Sequence, residues 1–163
     1  MSASSKVTNI IIAGLGGQGV LKASDIVADV AFRAGLEVKK AEVHGMSQRG
    51  GSVASDVRFG ERVSSPMVPS GEADYLVVLS PDQVANNRWQ LREGGVLITP
   101  EILAQERLRD KRSLNVALLG CLSVSLPFSS AAWEEALQYN LAPKLHAANL
   151  QAFALGRAAA GKH

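Results

Sequence analysis

Apolar residues along the chain come in short runs parted by polar turns, and the runs switch between strand and helix periods. Residues 7–13 are an apolar run of strand length, of the kind that lies mid-sheet with both faces covered. Residues 21–34 set Ala23, Ile26, Val27, Val30, Ala31 and Ala34 at three-and-four spacing, which predicts a helix with one buried face. Gly35 suits the position just past its end. Residues 36–43 give a second strand and complete a β-α-β unit, for which a right-handed crossover is expected. Residues 53–59 alternate, with Val53, Ser55, Val57 and Phe59 on one side, so this strand is expected near an edge or antiparallel.

Pro66 and Pro69 make residues 64–71 an irregular loop. Residues 75–79 are another buried strand. Ser80-Pro-Asp-Gln83 reads as a capping box opening a helix that runs to about Arg92 and stops at Gly94-Gly95. A strand at 96–99 and a weak helix at 101–109 follow. Residues 113–126 form an apolar helix ended by Pro127, and Gly120 and Ser123 permit close packing along it. Residues 131–141 form a helix behind Ser129-Ser130. A last helix covers 144–159, with Leu145, Ala148, Ala152 and Leu155 along one stripe. This alternation predicts a single α/β domain over residues 1–163, three-layered (α/β/α), with a Rossmann-like, mostly parallel sheet.

Two glycine-rich segments stand out against this frame. Gly14-Leu-Gly-Gly-Gln-Gly19 joins the first strand to the first helix, where main-chain N–H groups and the helix dipole favour an anion. It fits the dinucleotide pattern GxGxxG, and Glu42 stands where a ribose-binding acid is sought. Close approach of another chain's backbone is the other use of so many glycines. No Lys-Ser/Thr pair follows, which excludes a Walker-type phosphate loop. The second segment, His44-Gly-Met-Ser-Gln-Arg-Gly-Gly51, follows the second strand. His44 there is a candidate acid, base or phosphate contact, and Arg49 between glycines can grip a carboxylate or phosphate.

Composition narrows the picture by subtraction. The net charge of +2 calls for neither nucleic acid nor an anionic membrane, and the basic run at 107–112 reads as a solvated connector. One cysteine, Cys121, excludes an internal disulfide and any cysteine-held cluster within the chain; buried filler is its expected role. The polar start and the short apolar run after it resemble neither a secretory signal nor a membrane span, so a cytoplasmic protein is expected. No metal-ligand set, nucleophile elbow or acid–base pair is evident, so no catalytic or metal residues are assigned. A binding or completing piece of a larger machine is the expectation.

Three motifs in order carry a resemblance. Gly14-Leu-Gly-Gly-Gln-Gly-Val20, then Glu42-Val-His-Gly-Met-Ser-Gln-Arg-Gly-Gly51, then Ser65-Pro66 with Gly71-Glu-Ala-Asp74 resemble the gamma-type domain of 2-oxoacid:acceptor oxidoreductases, of the indolepyruvate:ferredoxin kind. The likeness runs on through Asn115–Gly120 and 149–156. It implies a small subunit of an enzyme that oxidatively decarboxylates a 2-oxoacid, forms an acyl-CoA from coenzyme A and passes electrons to ferredoxin. It implies thiamine diphosphate, Mg and iron–sulfur clusters in a large partner subunit, none of them held by this chain. It implies a supporting role, at the inter-subunit crevice or its ligand, for Gly14, Gly16, Gly17, Gln18 and Gly19. The same role falls to His44, Met46, Ser47, Gln48, Arg49, Gly50 and Gly51. The segment between Thr99 and Asn115 is shorter than the family pattern, so an element packed on the sheet is expected to be reduced or absent there. A free-standing nucleotide-binding or interaction protein of the same fold, homodimeric when isolated, stays open as the alternative.

Overall fold

The computed structural model describes residues 6–44, 51–103 and 108–162. Strand β1 (Thr8–Leu15) holds Ile10, Ile11 and Ile12 at 0% exposure, so both of its faces are covered and it takes the central place. The five strands run in the order β2-β3-β1-β4-β5, where β2 is Glu37–His44, β3 is Ser52–Gly60, β4 is Ala73–Val78 and β5 is Leu91–Ile98. Strands β1, β4 and β5 pair in parallel, whereas β3 is antiparallel to both β1 and β2.

The alternation in 53–59 therefore reported strand direction: β3 is antiparallel and inserted, one place in from the edge. Helix α1 (Val20–Arg33) still crosses from β1 to a parallel β2, but β3 lies between them. Strands sit about 4.8 Å apart, so the end of β2 is roughly 10 Å from β1. Glu42 is thereby moved away from the glycine turn, and it pairs instead with Lys40 at 3.8 Å.

The layers on the two faces are unequal. One face carries Ile10, Ile12, Val57, Phe59, Val77 and Ile98 under every long helix: α1, α3 (Leu114–Ser123), α4 (Ser130–Asn140) and α5 (His146–Gly161). Trp133 is wholly buried there, between Phe128 and Phe153. Among the described residues the other face, with Ile11, Leu76 and Val78, is covered only by Val68, Val84 and flanking side chains. Helix α3 is buried on all sides, and it meets α5 main chain to main chain. A Cβ on Gly120 would overlap the Phe153 carbonyl oxygen, and one on Gly156 would overlap that of Ala117.

Several local expectations give way. The segment after β4 is a 3₁₀ turn (Pro81–Gln83), one short helix α2 (Val84–Asn87) and another 3₁₀ turn (Arg88–Gln90). The capping box does not form, because the Ser80 hydroxyl donates to Asp82 and no bond returns from the Gln83 side chain to the Ser80 N–H. Asn87 Nδ2 donates to the Gln83 carbonyl at 2.8 Å, a side-chain bond that competes with helix propagation. Strand β5 starts early, at Leu91, and takes in Gly94-Gly95; Gly94 has φ +77° beside a register shift. At 100–103 the chain is 3₁₀, and residues 104–107 lie outside the described residues. The buried stripe of α5 is Asn149, Ala152, Phe153, Gly156 and Ala159, since Gly156 sets which side meets α3.

Asp74, from the third motif, is a clamp across strands. Its carboxylate accepts the Asn9 N–H at 2.8 Å and Arg92 Nε at 2.7 Å, joining β1, β4 and β5. The Ser65 carbonyl likewise accepts Arg58 Nη1 at 2.7 Å.

Candidate functional site

The glycine turn is built as a tight, self-closed corner. The Gln18 side chain folds back so that its Oε1 accepts the Leu15 N–H at 2.7 Å, and a Cβ on Gly14 would meet that oxygen at 2.7 Å. The Gly16 N–H donates to the Gly51 carbonyl at 2.9 Å, which fastens the turn to the start of β3. Gly19 precedes α1 with φ +83°, and its carbonyl accepts both Ala23 N–H at 3.0 Å and Asn115 Nδ2 at 3.1 Å. Gly14, Gly16, Gln18 and Gly19 thus have structural duties as well. Gly17 differs, with φ +88° and, among the described residues, nothing within 4 Å of where a Cβ would stand. Among the described residues nothing accepts from the Gly17 or Gly19 N–H, and the first turn of α1 adds its own unpaired donors.

Facing these amides is a recess of about 290 Å³ lined by Gly17, Gln18, Gly19, Lys111, Arg112 and Leu114. Arg112 is braced by Asp110, with Nη2 to Oδ2 at 2.9 Å, and this guanidinium holds the Asp110 carboxyl below its usual range. Open N–H groups, a helix N-terminus and two cations on one recess are an arrangement suited to an anion. Reading the run at 107–112 as a plain connector missed this. The available signal was the step from Lys111-Arg112 straight into the Asn115 helix, which the resemblance had already singled out.

Of the second segment, Met46, Ser47, Gln48, Arg49 and Gly50 lie outside the described residues, as does the side chain of His44. The backbone of His44 ends β2 opposite Val53, and Gly51 meets the glycine turn through its carbonyl. Both segments therefore reach one rim of the sheet.

Cys121 lies in α3, 3% exposed, and burial pushes its thiol up to about 11. A thiol with so high a pKa is a poor ligand and nucleophile at neutral pH. In the folded protein Ellman's reagent at pH 8 should label it at least tenfold more slowly than in urea; equal rates would contradict its burial. The sign of the linkage follows. Its stabilising effect is whole below pH 9 and is lost as pH rises from 9 through 11, because the unfolded thiol ionises first.

The comparisons join this geometry to a family. The model of the pyruvate ferredoxin/flavodoxin oxidoreductase family matches residues 9–102. The indolepyruvate oxidoreductase subunit IorB of Thermococcus kodakarensis is 33% identical, with 95% of this chain and 96% of that one covered. The chain belongs to this family. That alignment runs over 195 residues, so the relative carries residues this chain lacks. The gamma subunit of the keto/oxoacid ferredoxin oxidoreductase of Geobacter sulfurreducens superposes with a TM-score of 0.79 at 24% identity, covering 96% of this chain and 99% of that one. The 2-oxoglutarate:ferredoxin oxidoreductase of Magnetococcus marinus, solved with 2-oxoglutarate, coenzyme A and succinyl-CoA bound, superposes with a TM-score of 0.83 at 22% identity. There the fold accounts for 32% of a longer polypeptide, against 97% of this chain. The Thermococcus and Geobacter relatives are each named as a subunit of an oxidoreductase. Among the described residues no helix is long and apolar enough to cross a membrane.

Proposed function

We propose that this chain is the small, non-catalytic subunit of an indolepyruvate-type 2-oxoacid:ferredoxin oxidoreductase, and that its glycine turn seats the anionic part of coenzyme A at the boundary with a large subunit. The carrying observation is the recess in which Gly17–Gly19 main chain faces Lys111 and Arg112. The segment from His44 to Gly51 belongs to the same boundary, a reading supported by the Gly16–Gly51 hydrogen bond.

The redox groups implied by the family do not fit this chain. Its single thiol is buried and protonated, and among the described residues no three His, Cys, Asp or Glu side chains gather. Thiamine diphosphate with Mg and the iron–sulfur clusters, which supply decarboxylation and electron transfer towards ferredoxin, are assigned to the large subunit. What this chain contributes is position. It holds a charged co-substrate and shapes the crevice around it.

Reconstitution tests both halves. The large subunit alone should oxidise 2-oxoacids poorly, and adding this chain should restore coenzyme A-dependent turnover. Lys111→Glu with Arg112→Glu should raise the KM for coenzyme A about tenfold or more, as expected when charge-assisted contacts to phosphate are reversed. A large subunit fully active by itself would sink the subunit reading. An unchanged KM in the double variant would sink the anion seat.

A further inference from the structure

A second cavity, of about 320 Å³, opens on the thinly covered face of the sheet. Val43, Ala54 and Asp56 line it from β2 and β3, and Gln83, Trp89 and Gln90 line it from the segment after β4. Its size is that of a small-molecule pocket.

Two acceptors in it lack a donor. Gln83 is 9% exposed, and its Oε1 has no hydrogen-bond partner among the described residues. Asp56 is 5% exposed; its Oδ2 accepts the Val68 N–H at 2.9 Å, while no donor reaches Oδ1 among the described residues. A buried acceptor left unpaired, as Gln83 Oε1 is, costs free energy, which a donor-bearing ligand offsets. Burial also raises the Asp56 carboxyl above its ordinary range, with Arg58 opposing the shift.

The neighbouring polar groups are already committed, which makes the site rigid. Gln90 Nε2 donates to Asn87 Oδ1 at 2.9 Å, and Asn87 Nδ2 donates to the Gln83 carbonyl at 2.8 Å. Trp89 Nε1 donates to the Asn86 carbonyl at 2.9 Å, so the indole, 62% exposed, has only its ring faces left to offer.

We propose that this groove binds the base of an adenine nucleoside, stacked on Trp89, with Gln83 and Asp56 taking its exocyclic amino N–H bonds. Adenine sets an N6 donor beside the N7 acceptor, the edge that a glutamine amide pairs with in two-pronged fashion. Stacking on an indole tolerates any base, so selectivity falls to the two acceptors. On that N6/N7 edge guanine carries an O6 acceptor in place of the amine, its own N1–H and N2–H donors lying on a different edge, and uracil has no exocyclic amine. The inference does not rest on the proposed subunit role. The same base is carried by free adenosine and by the adenosyl end of coenzyme A.

The test is a titration of the full chain with adenosine, followed by tryptophan emission. Trp133 is wholly buried, so quenching should come from Trp89 and vanish in Trp89→Leu. Calorimetry should find the Trp89→Leu affinity about tenfold lower, a loss typical of one stacking contact. Gln83→Leu should weaken adenosine about tenfold with an unchanged circular dichroism spectrum, and Asp56→Asn, which preserves shape, should weaken it less. Guanosine and uridine should bind at least tenfold more weakly than adenosine. Coenzyme A that displaces adenosine identifies the adenosyl end as the occupant; adenosine binding untouched by coenzyme A identifies a free nucleoside. Either result keeps the base assignment. Absent quenching, equal binding of all three nucleosides, or wild-type affinity in Gln83→Leu overturns it.

Discussion

Replacing Gly156 with alanine should unfold the protein or bring it close to unfolding. The added methyl would overlap the Ala117 carbonyl oxygen, and the backbone N of Cys121 lies 3.0 Å from it. Neither atom can swing aside as the end of a side chain can, so α3 and α5 must part. Parting them opens the interface around Phe153 and Trp133, which the aromatic contacts hold shut. The cost should reach or exceed the upper end of the roughly 1–3 kcal/mol usual for overpacked cores. Urea unfolding followed by circular dichroism measures it. Gly161→Ala is the control in the same helix, since a Cβ there meets nothing and should leave stability unchanged or raise it by a few tenths of a kcal/mol. Equal midpoints for the two variants would refute the tight crossing.

Gly17→Val should separate function from folding at the glycine turn. The left-handed backbone, at φ +88°, makes a branched residue costly by about 1–2 kcal/mol, which a folded domain of this size tolerates. Among the described residues nothing lies within 4 Å of where the new Cβ stands, so the fold should survive while the mouth of the proposed anion recess fills. Complex formation or coenzyme A-dependent turnover with the large subunit should fall at least tenfold, against a near-normal circular dichroism spectrum. Gly14→Ala gives the contrast, since its Cβ would displace the Gln18 side chain and so act through the corner itself. If Gly17→Val assembles and turns over as the wild type does, the recess has no part in the enzyme.

What could be read from the sequence follows from what each signal measures. The isoleucine run of β1, the three-and-four spacing of α1 and the Gly120–Ser123 side of α3 all report burial, and the structure buries them except Ala34, which lies exposed just past the end of α1. The serine cap of α4 is equally local, with Ser129 Oγ accepting the Ala132 N–H at 3.1 Å. Strand order is not local. Nothing in residues 36–43 tells that β3 will insert beside β1, so Glu42 looked better placed than it is. The segment after β4 misled for a related reason. Asn87 and Trp89 carry helix-compatible spacing but use their side chains on the carbonyls of Gln83 and Asn86, and that bonding is visible only once the groove exists. The glycine turn was legible as a turn; for the Lys111-Arg112 pair facing it the only signal was its place directly ahead of the Asn115 helix, because charge in a connector does not itself tell what it lies against.

The bond from Gly16 to Gly51 has a mechanical meaning. It ties the corner that launches α1 to the loop end of the β2–β3 hairpin, whose two strands run side by side from Glu37–Gly60 to His44–Val53. Whatever grips the hairpin's tip pulls through Gly51 on the main chain that ends in Gly17 and Gly19. Capture of one by a neighbouring polypeptide is thus felt by the other, and occupancy of the recess and docking of the hairpin should reinforce or oppose each other as a coupled pair.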